Sequence, residues 1–389
     1  MIENKKYNRY KELKNKLFFF DYKDYPLDLV LGSYLARMVW QPSIRLFVSY
    51  FLFNVKDFPN LNSGDTILTY STKRNDYYEL MSRFFPNIIP QYVRIESTGN
   101  GKVNNLFESI RATFRATVFL RNVKCKINDK IILVLGVSLA FKVIDEIEKK
   151  DIKCKRYIAF NSSYLIESFL SYYFRKRKIQ TYSLQHGIYF DYINEKPIDV
   201  INYENVCANE IIMWGEYSKR EVENIIPSSS RCKVYGYPVE DIPERMVSKA
   251  ILVLLPRKIY LKECVELIEY LKKFDEEYIV RSHPSIISNM QEMELYKNNI
   301  SIDNNSSLKE TLLKYRYRAV IGFNSTALFE ASLYKQKVLL FKTDNQEFRN
   351  PGFKEIDINS SLSECVCDIG DKVGSEYFFK KIEASNKLC

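Results

Sequence analysis

Histidine is almost missing from this chain: only His186 and His283 occur among 389 residues. That scarcity leaves little material for a histidine-rich metal centre, and no Asp-x-Asp pair is present to hold a divalent ion instead. Paired cysteines are absent too. The eight cysteines (125, 154, 207, 232, 264, 365, 367 and 389) are scattered, and Cys365-x-Cys367 has neither a second pair nor a neighbouring histidine, so no disulfide framework or zinc site is implied. Long hydrophobic runs are also lacking. The most apolar stretch, 27–54, is divided by Pro42 and interrupted by Asp28, Arg37 and Arg45, which leaves neither half long enough to cross a bilayer. Because those charges are not gathered on one side, the stretch reads as two buried helices rather than a patch lying on a membrane. The N-terminus has no apolar core before a small-residue cleavage site, so no secretion signal is expected, and scattered thiols fit a cytoplasmic protein.

What is present is apolar content of 46%, enough at this length for two cores. Two domains are expected, 1–243 and 244–389, with the linker in the aperiodic 239–249 around Pro243. The net charge of +10, from 58 Lys and Arg against 48 Asp and Glu, suits anionic partners: nucleic acid, an anionic sugar nucleotide, a polyanionic acceptor or a membrane surface. The basic residues are spread over helical faces and not clustered, which disfavours a nucleic-acid-binding protein. The 29 tyrosines and 25 phenylalanines interleave with aliphatics at core spacing and read as packing.

Short branched runs followed by small polar residues recur along the chain. Residues 66–70, 130–135, 157–160, 179–184, 211–214, 251–255, 278–280, 319–321 and 337–341 read as buried strands, with helices expected between them, including one opened by Gly136 and running to Lys149. That alternation produces doubly wound parallel sheets. Ligands bind at the carboxyl edge of such sheets. Two edges hold the histidines: Gln185-His186-Gly187 follows one strand, and Arg281-Ser282-His283-Pro284 closes another. The turn Asn324-Ser325-Thr326 sits where a helix should begin and offers hydroxyls and free backbone N–H groups to an anion. Glu330 falls about one turn later on the same face. Arg257, in the loop after 251–255, could reach a phosphate or stay solvated.

The ordered set of His283-Pro284, the Ser325/Thr326 pair and Glu330 resembles the donor half of bacterial glycosyltransferases of the GT-B architecture that build surface polysaccharide. It is most similar to sialyltransferases, Kdo transferases and polymerases that use CDP-activated polyol phosphates. The resemblance covers the last third of the chain well and the middle third loosely. It implies an α/β fold of two Rossmann-like doubly wound domains with an interdomain cleft. His283, Ser325 and Thr326 would contact nucleotide phosphates and Glu330 the ribose, with Arg257, Arg281, Pro284 and Asn324 in the same donor site. Gln185-His186-Gly187 looks like the acceptor-side motif of the capsule and polyol-phosphate enzymes, where the histidine is the proposed base, and nearby Asp191 competes for that role. The acidic-acidic-Gly motif of the sialyltransferases has no copy, since Asp145-Glu146 is not followed by glycine. The implied activity is metal-independent inverting transfer from a CMP-sugar such as sialic acid or Kdo to a glycan acceptor in capsule or lipopolysaccharide synthesis. The alternatives are a CDP-polyol phosphotransferase and a sugar-nucleotide epimerase. No cofactor is expected, and the partners would be the nucleotide-sugar and an oligosaccharide or lipid-linked glycan, the latter entailing peripheral contact with the cytoplasmic face of the inner membrane.

Overall fold

The computed structural model describes residues 2–53, 61–93, 104–187, 189, 198–237, 242–257, 260–274, 276–283, 286, 300–341 and 354–356. Two six-stranded sheets organise them, and every pairing within each sheet is parallel. The first sheet contains β1 (Thr66–Tyr70), β2 (Gln91–Tyr92), β3 (Arg156–Ala159), β4 (Gln180–Leu184), β5 (Glu210–Met213) and β6 (Arg231–Val234). Their spatial order is β2-β1-β3-β4-β5-β6. The second contains β7 (Ile251–Leu255), β8 (Tyr278–Ser282), β9 (Ile300–Ile302), β10 (Ala319–Gly322), β11 (Val338–Phe341) and β12 (Lys354–Ile356), in the order β9-β8-β7-β10-β11-β12. Both orders reverse direction once, between β1 and β3 and between β7 and β10, and such a reversal opens a crevice at the carboxyl edge. The chain is thus built from two Rossmann-like doubly wound halves, as the GT-B resemblance implied. The change of sheet falls between Val234 and Ile251.

The strands are short and several are wholly buried: β7, β10 and β11 show no exposed residue. That burial on both faces explains why they read as continuous apolar runs without alternation. The same logic misleads at 130–135. This stretch is no strand but belongs to the first half of a 21-residue helix, Ile127–Ile147, buried along most of its length. An apolar run this short looks alike in either conformation. Gly136 does not open a helix there. It lets the ring of Tyr34 pack against the backbone, where an added Cβ would lie 2.6 Å from Tyr34 Cε1.

The stretch 27–54 forms three helical pieces, Leu27–Val30, Gly32–Trp40 and Ile44–Phe51. The first two are buried as expected, whereas Ile44 and Val48 of the third face solvent. Among the described residues, no helix is long and apolar enough to cross a membrane.

Candidate functional site

At the carboxyl end of β4 the buried Gln185 uses its whole side chain inside the protein. Its Oε1 accepts the Trp214 backbone N–H at 2.8 Å, and its Nε2 donates to the Gly187 carbonyl and to Ser218 Oγ, each at 2.9 Å. Tyr203 adds its hydroxyl to the same carbonyl at 3.1 Å. Gln185 therefore braces the loop, while the side chain that the loop presents is His186, lying between the rings of Phe160 and Tyr164 with centroids 5.8 and 6.0 Å away.

A relay of amides orients that imidazole. The Ser163 backbone N–H donates to Asn161 Oδ1 at 3.1 Å, which turns Asn161 Nδ2 toward Asn202 Oδ1 at 3.3 Å. Asn202 Nδ2 is left facing His186 Nε2 at 3.4 Å. In the neutral ring Nε2 is then the acceptor, and the proton sits on Nδ1. Burial pushes the His186 pKa down to about 4; Asp199 pulls it up, and the guanidinium groups of Arg74 and Arg257 push it further down. The ring is neutral at cellular pH.

The backbone of Asn161 also meets a buried carboxyl group. Glu167, fully buried, accepts from Ser71 Oγ at 2.6 Å and from the Asn161 backbone N–H at 3.3 Å. It ties together the two loops that flank the β1/β3 crevice. Burial raises its pKa to about 8, against the opposing pull of those donors.

In the second half, β7, β8 and β10 end level with one another: Leu255 pairs with Ser282 and Leu254 with Gly322. The residues that follow, Arg257, His283 and Asn324, therefore share one edge. The His283 backbone N–H donates to the Leu255 carbonyl at 3.2 Å. Asn324 has φ of 42°, a left-handed conformation that asparagine tolerates better than most residues, and it turns the chain sharply into the next helix. Ser325 caps that helix, Thr326–Leu333, its Oγ accepting from the Ala327 N–H at 3.3 Å. Thr326 stands in the first turn beside it.

Arg281 goes elsewhere. Its Nη1 binds Asp303 Oδ2 at 2.7 Å and the Asn305 carbonyl at 3.1 Å, and Thr311 Oγ1 closes the network on Asp303. The guanidinium braces β8 against the segment after β9, so its two-residue spacing from His283 does not bring the two to a common task. Glu330, one turn beyond Thr326, lies beside the buried Tyr237 hydroxyl and in the field of Arg83, both from the first half.

These contacts bring the two carboxyl edges together. Arg257 of the second half pairs with Asp199 of the first at 2.8 Å. Gly187 sits so near the second half that an added Cβ would lie 3.3 Å from Thr326 Oγ1. Behind this meeting point Phe329 stacks on Trp214 at 5.2 Å and 13°, and Tyr237 packs edge-on against both. The His186 loop and the Ser325–Thr326 helix start are thereby held side by side by a dry aromatic seam. Asp191 and Pro284 lie outside the described residues. Sequence reasoning missed Asp199, Asn202 and Glu167. Only Glu167, an acid set in the apolar run Leu165-Ile166-Glu167-Ser168-Phe169, carried a visible signal.

No protein-family model matches this sequence, and no curated protein matches it. Solved structures do resemble the chain. UDP-GlcNAc 2-epimerase from Methanocaldococcus jannaschii, in complex with UDP-GlcNAc and UDP, is similar over 82% of this chain and 99% of its own, at 11% identity and a TM-score of 0.48. MurG from Acinetobacter baumannii is similar over 72% and 79%, at 11% identity and a TM-score of 0.38. The wall teichoic acid polymerase TagF is similar over 87% and 78%, at 12% identity and a TM-score of 0.36. The assignment of two doubly wound halves rests on the sheet orders themselves.

Proposed function

We propose that this protein is a metal-independent inverting glycosyltransferase that moves a sugar from a nucleotide-activated donor, a CMP-sugar, to a glycan acceptor. The observation that carries the reading is the close approach of Gly187 to Thr326, where an added Cβ would lie 3.3 Å from Oγ1. It places a histidine loop from one half against a capped helix start from the other. A transfer with inversion needs a base on one side of the anomeric carbon and charge neutralisation at the leaving phosphate on the other. In this reading the donor phosphate sits at the N-terminus of helix Thr326–Leu333, contacted by Thr326, by His283 and by Arg257 once it swings from Asp199. The acceptor hydroxyl displaces the 3.4 Å contact of Asn202 and gives its proton to His186 Nε2 as its oxygen bonds to the anomeric carbon. The bond from that carbon to the phosphate oxygen breaks, CMP leaves with the electron pair, and Asp199 offsets the charge of the imidazolium. Asp191 is the competing base. The helix terminus and Arg257 take the part that a bound magnesium would otherwise play.

The Gln185-His186-Gly187 loop favours one second reading, transfer of a polyol phosphate from a CDP-activated donor in the same crevice. The acceptor would be an oligosaccharide or lipid-linked glycan of capsule or lipopolysaccharide. Thermal unfolding with added nucleotides tests the reading. CMP or CDP at about a hundred times its dissociation constant should stabilise the fold by roughly 2.7 kcal/mol, and an oligonucleotide should not. Stabilisation by the oligonucleotide and by neither nucleotide would remove the proposal.

A further inference from the structure

The helix Asn104–Phe119 is turned inside out. Its small residues Ser109, Ala112 and Ala116 are buried, while Phe107, Ile110, Phe114 and Val118 are 72%, 52%, 70% and 48% exposed. These four recur at helical spacing and line one side, opposite to the arrangement by which a helix on a soluble surface buries its large apolar residues. A second helix ends nearby and also exposes apolar residues. Lys142 Nζ donates to the Phe51 carbonyl at 2.8 Å and to Ser109 Oγ at 3.3 Å, which holds the end of helix Ile44–Phe51 beside Asn104–Phe119. On that helix Ile44 is 81% exposed and Val48 47%.

The flank of the patch is basic on balance, since in the hollow beside it Lys23, Arg111, Arg115, Lys142 and Lys149 meet Glu108, Asp145 and Glu148. Arg111 and Arg115 follow the stripe along the same helix, Arg45 is exposed on the other, and Glu108 is the one acid in Asn104–Phe119. Arg115 is spread over the Phe141 ring at 4.9 Å and paired with Asp145, so its position is fixed. Two occupants fit an apolar face of this size: a second copy of the chain or the surface of a bilayer. A two-fold pairing would put two copies of this arginine-bearing rim into one seam on a protein of net charge +10, which opposes association. Anionic lipid headgroups instead complement that rim while the acyl boundary takes the phenylalanines.

We propose that helices Asn104–Phe119 and Ile44–Phe51 form an interfacial face that docks this protein on anionic lipid bilayers, with Phe107 and Phe114 inserted and Arg111 at the headgroups. The proposal stands on this surface alone and holds whatever reaction the crevice performs. Flotation of the full chain with vesicles of phosphatidylcholine, with or without phosphatidylglycerol, tests it in the absence of any substrate. The wild type should float with the phosphatidylglycerol vesicles and far less with phosphatidylcholine alone, and added salt should weaken binding. The double variant Phe107→Ser/Phe114→Ser should lose binding by roughly tenfold or more. Arg111→Glu should lose it on the anionic vesicles, and both variants should melt as the wild type does, because the replaced side chains are exposed. Absence of wild-type flotation, or flotation that both variants retain, would overturn the proposal. So would sedimentation showing that the wild type is a dimer and the double variant a monomer, which would assign the face to a second copy.

Discussion

His186 is a neutral imidazole with its acceptor nitrogen toward Asn202. Because the chain has only two histidines, its ring protons should give one of two resolvable signals, assignable through His283→Ala. That signal should titrate near pH 4 and not near 6.5. Asn202→Asp would put a carboxylate at the same 3.4 Å and raise the midpoint, whereas an unchanged midpoint would contradict the relay. The depressed value makes the His186 contribution to stability present above about 6.5 and lost as pH falls toward 4. Glu167 has the opposite sign. Its folded pKa of about 8 stands above the 4.5 of an unfolded glutamate, so its contribution is present at low pH and lost as pH rises through about 8. Melting temperature followed against pH should therefore fall more steeply for the wild type than for Glu167→Gln across that window, and parallel curves would show that Glu167 does not titrate there. Neither residue's environment could be read in advance. Which side chains surround a loop histidine depends on segments such as 198–202 that are distant in sequence and bear no motif of their own.

Elements were easier to read than their surroundings. Strands β7, β10 and β11 follow from unbroken branched runs. Helix Ile127–Ile147 departs from the strand expected at 130–135 because so short an apolar run does not show whether its period is that of a helix or of a strand. Helix Thr326–Leu333 shows how an element serves two tasks. Its first turn faces the His186 loop, and Phe329 on its back anchors it to Trp214. Phe329→Ala should cost about 3–5 kcal/mol in denaturant unfolding, because it empties a site packed by residues of both halves. A cost below about 1 kcal/mol would mean that the aromatic seam does not hold the helix.

At the scale of the molecule, the two-halved α/β architecture was legible in the alternation of runs and turns, and the resemblance of the His-Pro and Ser-Thr motifs pointed to the same plan. The meeting of Arg257 with Asp199 was not legible, since a loop arginine that binds a phosphate and one that pairs across two halves look identical in sequence. The pair is about two-fifths exposed on each side, so a double-mutant cycle should find a coupling under about 1 kcal/mol. Its weight is in closing the crevice and not in stability. The account stands or falls on nucleotide release from CMP-, CDP-, UDP- and GDP-activated donors, measured with glycan acceptor and with EDTA present. It predicts release from a cytidine donor that persists in EDTA, disappears in His186→Ala and weakens in Thr326→Ala. Release that His186→Ala leaves intact, or that returns only with added magnesium, would contradict it.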